Sequence, residues 1–487
     1  MARTSKKQKE LTPEKKLAQA LVPVEEQPYP IPENWCWTTI EIINEFNSST
    51  LDPRKKPTDY YELYSVPSCE NDYPEIIQGS DIKSSKQVVA KDDILICKIN
   101  PRINRVWKVS QYTDNPLLAS SEWIVVRNQL LNPNYLMWFF KTPVFREYML
   151  SNVSGVGGSL MRAQPKYVKT YPVPIPPLAE QQRIVDRIEG LFSKLDEAKE
   201  KAQTVVDAYE DRRSTILHMA FTGELTAEWR SINQPFAAEC YLKQIQDRQN
   251  EFCRNEFKFW KDDTLPEGWV ESKIGNCLYY AGRIGWKGLK AEEYTTCGPI
   301  LLSVFNLNDG DEVSYDHINH ISKERYEESP EIMVQEGDIL LTKDGAGIGK
   351  VGYVKSLPQK ATINSSLLLI RPGEAAISKY VYYLLLGPSL QRIVKERITG
   401  SATPHLFQRD IKDFVIPIPP IDEQRQIVDR LESILSELMR SKLMAEQTIE
   451  VIDVLKKTLL NNAFRGKLGT NDPKEEPATV LLKQLLK

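Results

Sequence analysis

The stretch "DGAGIGK", Asp344 to Lys350, invites a cofactor reading first, because closely spaced glycines can cradle a phosphate. A P-loop needs G-x-x-x-x-G-K-[ST]. Here Gly345 stands one residue too close to Gly349-Lys350, and Val351 occupies the place of the metal-binding hydroxyl. The segment is not the G-x-G-x-x-G turn of a βαβ unit either, and the matching loop of the first half of the chain, "KINPRINRVWK", has no glycine. No N-P-P-[YF] motif for holding a target base, no G-x-S-x-G and no H-E-x-x-H occurs, and Asn100-Pro101-Arg102 is no substitute. His317 and His320 form an H-x-x-H without further ligands at useful spacing. The seven cysteines (Cys36, Cys69, Cys97, Cys240, Cys253, Cys277 and Cys297) contain no C-x-x-C pair and read as free thiols. These patterns predict no catalytic residue, no bound cofactor and no metal.

What the same loops do carry is basic, amide and aromatic chemistry in two groups. The first holds Asn100, Arg102, Asn104, Arg105, Trp107 and Lys108, followed by Ser159, Arg162, Gln164 and Lys166. The second holds Arg283, Trp286, Lys287, Lys290, Lys343, Lys350 and Lys355, then Asn364 and Ser365, then His405, Gln408, Arg409 and Lys412. Lys and Arg neutralise phosphates, while Arg, Asn and Gln can pair with base edges in the major groove. Taken singly, each is more often a solvated surface group. As two clusters on matching scaffolds they point to DNA.

The scaffolds match because the chain is written twice. "YPVPIPPLAEQQRIVDRIE" (Tyr171 to Glu189) returns 243 residues later as "FVIPIPPIDEQRQIVDRLE" (Phe414 to Glu432), and that offset carries Ala220–Leu225 onto Ala463–Leu468 without a gap. Upstream, Asp93–Lys98 lies over Asp338–Lys343 at an offset of 245, and "PENWCW" at Pro32 answers "PEGWVE" at Pro266. A period this long is a domain duplication rather than a solenoid, whose repeats run ~20–50 residues.

Each repeated phrase opens a heptad-like seam. One runs Ile184, Ile188, Leu191, Leu195, Ala198, Ala202, Val205, Tyr209, Arg212 and Ile216; the other runs Ile427, Leu431, Ile434, Leu438, Ser441, Ala445, Thr448, Ile452, Leu455 and Leu459. The "PIPP" runs stiffen the approach, and Gly223 and Gly466 fit C-terminal stops. The seams predict two long helices, each roughly 65 Å, that pack on each other, with Ile184, Ile188, Leu191, Leu195 and Ala202 facing Ile427, Leu431, Ile434, Leu438 and Ala445. The blocks before them alternate short strands, turns and a helix from Tyr135 or Tyr380.

At 487 residues the chain exceeds one core, and a net charge of −3 argues against a uniformly basic coat but not against local patches. No apolar run approaches the ~20 residues of a membrane helix, and the polar, basic leader lacks an apolar stretch, so the expected location is the cytoplasm.

Read together, "IPIPPIDEQRQIVDRLE", "EGDILLTKDGAGIGKVG", "ERITGSATPHLFQRDIKDF" and "PEGWV" make the chain resemble the specificity subunits of Type I restriction-modification enzymes over nearly its whole length. The resemblance implies an α+β architecture: two α/β target-recognition domains and two long helices paired as an antiparallel coiled coil, with internal pseudo-two-fold duplication. The expected plan is an N-terminal extension (1–31), a first recognition domain (32–178), a first spacer helix (179–225), a polar connecting segment (226–264), a second recognition domain (265–420), a second spacer helix (421–468) and a tail (469–487). "YLKQIQ" at Tyr241 partly echoes the end of that tail, which hints at a circular arrangement of the repeats. The resemblance further implies a non-catalytic subunit that binds double-stranded DNA, joined by two modification subunits that use S-adenosylmethionine and by up to two restriction subunits that use ATP and Mg. A standalone methyltransferase or nuclease, or a protein-binding adaptor, are the rival readings.

Overall fold

The computed structural model describes residues 12–154, 161–249, 258–262, 264–283, 289, 291–307, 312–345, 347–398 and 405–487. The chain divides into two compact units, one formed by residues 1–203 and 446–487 and the other by residues 204–445.

In the first unit, Cys36–Thr39 pairs antiparallel with Pro172–Ile175. A five-stranded sheet runs Thr50–Leu51, Lys86–Val88, Leu117–Ala119, Tyr60–Tyr64, Glu75–Gln78, with one parallel pair where Tyr60–Tyr64 meets Leu117–Ala119. A three-stranded sheet places Ile94–Cys97 between Val106–Lys108 and Trp123–Val126. The run "ILIC" is apolar throughout because that central strand is buried at every position. The helix Pro133–Phe140 is started by Asn132, whose side chain accepts from the amides of Asn134 and Tyr135.

The second unit repeats the plan. Val270–Lys273 pairs with Val415–Ile418, and Ile339–Thr342 sits centrally in a four-stranded sheet with Tyr279–Gly282, Leu367–Arg371 and Val351–Tyr353. Tyr294–Leu302 again has a parallel neighbour, Ala361–Ile363. A helix spans Ser378–Leu386.

The repeated phrases have structural jobs that explain their spelling. In "AEQQ", the Glu180 carboxylate is buried and accepts from the indole of Trp35 (2.8 Å), the tryptophan of "PENW". In "DEQR", Glu423 does the same for Trp269 (2.9 Å), the tryptophan of "PEGW". The next residue, Gln181 or Gln424, accepts from the backbone amide of Asn132 (2.9 Å) or Ile377 (2.8 Å) and donates to the carbonyl of Pro176 or Pro419. Each long helix is thereby bolted to its own mixed α/β block.

The first long helix runs Leu178–Asp207 and, after a break at Ala208, Tyr209–Phe221; the second runs Ile421–Ala463. They are antiparallel within each unit. In the first, Lys199 bonds Asp453 (2.7 Å), while Asp196 pairs with Lys456. In the second, Lys442 lies 4.6 Å from the Tyr209 ring centre, and Arg430 donates to the Leu225 carbonyl (2.9 Å). Rising numbers on one helix meet falling numbers on the other. Both end at a left-handed glycine pressed on the opening proline of its own unit: a Cβ on Gly223 would lie 2.4 Å from Pro266 Cγ, and one on Gly466 2.3 Å from Pro32 Cγ.

The expected seam needs correction. Ile184 and Ile188 belong to a core shared with Tyr135, Phe139, Leu460 and Phe464, and Ile427 and Leu431 to one shared with Tyr380, Leu217 and Ala220. Their partners are therefore the mixed α/β blocks as well as helix. Ala202 and Ala445 are buried, and Leu191, Leu195, Ile434 and Leu438 are half-buried. Ala198, Arg212, Ser441, Thr448 and Leu455 are exposed. A straight helix at 3.6 residues per turn drifts ~20° per heptad from a 3.5-residue stripe, so a strict seam rotates out of contact.

The segment expected as a polar connection forms two helices, Ala227–Asn233 and Ala238–Gln249. Leu242 and Ile245 enter the second unit's core, and the Ala238 amide donates to the Gly268 carbonyl (2.8 Å). The tail does the same in the first unit. Its helix Ala478–Leu485 buries Leu482, and the Ala478 amide donates to the Asn34 carbonyl (2.8 Å). The echo between "YLKQIQ" and the C-terminus thus marks two equivalent helices. Among the described residues no helix is long and apolar enough to cross a membrane.

Candidate nucleic-acid interface

The dissimilar loops "NPRIN" and "GAGIG" are built on one backbone frame. Asn100 and Asn104 have φ of 47° and 45°; at the corresponding places Gly345 and Gly349 have φ of 87° and 86°. The Ile103 amide bonds the Asn100 carbonyl (3.1 Å), as Ile348 bonds Gly345 (3.2 Å). The turn closes through Cys97 N to Arg105 O (3.0 Å) in one unit and Thr342 N to Lys350 O (2.8 Å) in the other. Asparagine and glycine are the residues that enter the left-handed region at least cost, so unlike sequences satisfy the same shape.

The frame extends to neighbouring turns by equivalent bonds. In the first unit, Lys98 N donates to Glu122 O (2.9 Å), Ser120 N to Tyr64 O (3.2 Å) and Ala163 N to Lys98 O (2.9 Å). In the second, Lys343 N donates to Ser366 O (2.9 Å), Asn364 N to Leu302 O (2.9 Å) and Leu406 N to Lys343 O (2.8 Å). Each unit thus gathers three separate turns and one extended segment, at 162–163 or 405–406, at one edge. Below them a bidentate ion pair anchors the central strand: Arg127 on Asp93 (2.7 and 2.6 Å), and Arg371 on Asp338 (2.6 and 2.7 Å). Asp93 of "DDILIC" and Asp338 of "GDILLT" are therefore structural.

The side chains on the two frames differ. In the first unit Arg102 and Lys166 are exposed, Arg162 is exposed and bonded to Glu122 (3.1 Å), and Lys108 is half-buried at a strand end. Arg105 is mostly covered and bonds Glu70 (2.8 Å). Asn104 turns inward and donates to the Phe140 carbonyl (3.1 Å), while Asn100 is half-buried with a buried carbonyl oxygen that lacks a partner among the described residues. Trp107 lies in the core beside Tyr64 and Trp123, so it is not a reading aromatic.

In the second unit Lys343 bonds Asp344 (3.0 Å), and His405 meets the other oxygen of the same carboxylate, which ties the glycine turn to the extended segment at 405–406. Burial lowers the pKa of Lys343; burial and the nearby Lys343 charge lower that of His405. Asn364 and Lys350 are half-buried, Ser365 is exposed, and Arg409 is exposed over the Phe407 ring. Lys355 is exposed and paired with Glu312, and Lys412 is exposed. Arg283 is a correction: it is only 4% exposed and donates to Ile363 O (3.0 Å) and Thr362 Oγ1 (3.2 Å), so it braces a strand from inside. Ser159, Trp286, Lys287, Lys290 and the Gln408 side chain lie outside the described residues.

One turn of each edge escaped the sequence reading. Ser65–Ser68 follows Tyr64, and Ser303–Asn306 follows Leu302, in strands with equivalent parallel neighbours. Set side by side, the spellings "SVPS" and "SVFN" are the signal that could have found them.

The Type I restriction modification DNA specificity domain matches the chain twice, at residues 32–205 and 266–447. The chain belongs to that family. Among its curated relatives, the Type I restriction enzyme EcoBI specificity subunit of Escherichia coli is 26% identical over 63% of this chain and 60% of that protein. The EcoAI specificity subunit of Escherichia coli is 23% identical over 90% of this chain and 84% of its own length. The crystal structure of the HsdS subunit from Thermoanaerobacter tengcongensis superposes with a TM-score of 0.62 at 19% identity, covering 91% of this chain and all of that one, which shows a shared fold. Duplicated recognition blocks and paired long helices are thus the architecture of a specificity subunit, a class that selects DNA and leaves the chemistry to other chains.

Proposed function

We propose that each edge of turns reads one half of a single bipartite, asymmetric DNA site, and that the antiparallel helices set the unread gap and dock the modification subunits. The observation that supports this best is the pair of equivalent frames carrying different side chains: Arg102, Arg162 and Lys166 on one, Lys350, Ser365, His405 and Arg409 on the other. One fixed geometry with two side-chain sets suits two different half-sites approached in the same manner. Exposed Arg and Lys supply phosphate contacts and paired bonds to guanine, and Ser and Asn suit other base edges.

In this reading two modification subunits, which hold S-adenosylmethionine, methylate adenine at the selected site. Up to two restriction subunits add ATP- and Mg-dependent translocation and cleavage, all in the cytoplasm. The test is methylome sequencing of a host that expresses the chain with its partners, before and after residues 98–166 are exchanged for those of another recognition domain. One half-site is expected to change while the other half and the gap stay; movement of both halves refutes the assignment.

A further inference from the structure

The turn after Leu302 presents Phe305 to solvent at 91% exposure. The turn itself is held firmly. Asn306 is buried; its side-chain oxygen accepts from the Ser303 amide (2.8 Å) and hydroxyl (3.2 Å), and its nitrogen donates to the carbonyls of Ser314 and His317 (3.1 Å each). The equivalent turn of the first unit is held by Ser65 and Ser68, whose hydroxyls lie 3.0 Å apart, and carries Pro67 at its tip.

Phe305 rises from the same edge as the glycine turn. A Cβ built on Gly347 would come within 2.6 Å of Val304 Cγ1 and 3.5 Å of Lys350 Cδ, and the carbonyl of Leu302 takes the Asn364 amide. A single exposed phenylalanine is ordinary on a protein surface. One carried by a turn held through Asn306, on the edge it shares with Lys350, Asn364 and Ser365, presents an apolar surface where a polyanion with apolar groups in its groove would meet it. The thymine methyl is such a group.

We propose that Phe305 is a specificity-determining residue whose ring contacts a thymine methyl in the half-site read by the second recognition domain. This rests on the proposal that the edge reads DNA. The experiment uses the full-length chain assembled with its modification subunits and a synthetic duplex bearing its methylated motif, with each thymine replaced in turn by uracil, which lacks only the methyl. Wild type is expected to bind about fourfold more weakly at one uracil position, the value of one buried methyl. Phe305→Ala is expected to bind the unaltered duplex more weakly and to be indifferent to uracil there, and Phe305→Leu to keep part of the preference. Thermal unfolding of both variants is expected to match wild type, since the side chain is nearly free of protein contact.

A uracil pattern in Phe305→Ala identical to wild type, or a uniform loss on all duplexes, overturns the proposal. Exchange of residues 265–420 for another recognition domain separates the two inferences. If it leaves both half-sites unchanged, the reading edge and the phenylalanine fail together. If it changes one half-site while Phe305→Ala keeps the wild-type pattern, only the phenylalanine's role fails.

Discussion

Glu423 is expected to be the most sensitive polar position of the second unit. Its carboxylate is fully buried at the start of the second long helix and takes three donors: Arg230 (2.5 Å), Thr226 (2.7 Å) and the Trp269 indole (2.9 Å). Arg230 also donates to the Gly223 carbonyl (3.1 Å), so this one carboxylate clasps the end of the first helix, the helix after it and the "PEGW" turn. Removing one member of a buried ion pair costs about 3–5 kcal/mol, because the survivor stays desolvated. For loss of Glu423 the lower figure applies, since the surviving Arg230 side chain keeps 19% exposure and can partly rehydrate; for loss of Arg230 the surviving carboxylate has no such exposure.

Arg230→Ala, which leaves the fully buried Glu423 carboxylate without its cation, is expected to cost about 4–5 kcal/mol, and Glu423→Ala about 3 kcal/mol. For a unit of this size the smaller cost is a fall of about 6–12 °C in its unfolding transition. The double variant Glu423→Gln with Arg230→Met is expected to lose less than the sum of its single changes, by about 1–3 kcal/mol. Glu180 is the internal comparison. Its donors are Trp35, Asn471 and Thr470, all neutral, while Arg183 is engaged with Glu475, so Glu180→Gln is expected to cost only about 1 kcal/mol. Urea unfolding of the full-length chain, monitored by tryptophan fluorescence, measures all of these. Single variants within 1 kcal/mol of wild type, or a strictly additive double variant, refute the clasp.

Gly345→Ala and Gly349→Ala share a left-handed φ but not their surroundings: a Cβ at 345 meets nothing within 4 Å, whereas one at 349 lies 2.8 Å from Val394. The first is expected to cost about 1–2 kcal/mol and the second at least 1 kcal/mol more, and equal losses in denaturant refute the packing argument. Inserting four residues near both Ala198 and Ser441 should lengthen the helix pair by ~6 Å and widen the gap of the methylated motif by about two base pairs; an unchanged gap in the methylome refutes the spacer role. Burial pushes the Glu180 carboxyl above the usual range, against hydrogen bonds from Trp35, Asn471 and Thr470 that lower it. The folded state therefore keeps that proton to higher pH than the unfolded chain, so the contribution is full below the ordinary value of ~4.3 and is lost as pH rises through the raised folded value. Glu180→Gln is expected to flatten that part of the stability curve, and an unaltered slope in chemical unfolding across acidic pH counts against it.

The long helices were legible because their information is local: a repeated phrase, an apolar period, a proline run before and a glycine after. The duties of Glu180 and Glu423 were not, since their tryptophan partners lie 145 and 154 residues away and nothing local marks a carboxylate as buried. Arg283 shows the same limit from the other side. An arginine beside glycines and a tryptophan reads as a phosphate ligand, and only the packing of Thr362 and Ile363 against it reveals a strand brace. The helix Ala238–Gln249 was overlooked because its polar residues outnumber the buried positions Leu242 and Ile245 that hold it.

At the candidate interface the division is sharper. "NPRIN" and "GAGIG" share only an isoleucine at the fourth place, yet their first and last residues are the types that tolerate positive φ, so the common turn was already spelled in residue chemistry. Which side chains leave that turn toward solvent was not spelled. Asn104 folds back onto Phe140, Trp107 sinks into the core, and Phe305 stands out from a neighbouring turn that no motif singled out. A duplicated reader can keep its frame while exchanging its contacts because the turn shape constrains only a few positions. The remaining positions are free to differ, and the loop sequences of the two copies diverge there while the frame bonds persist.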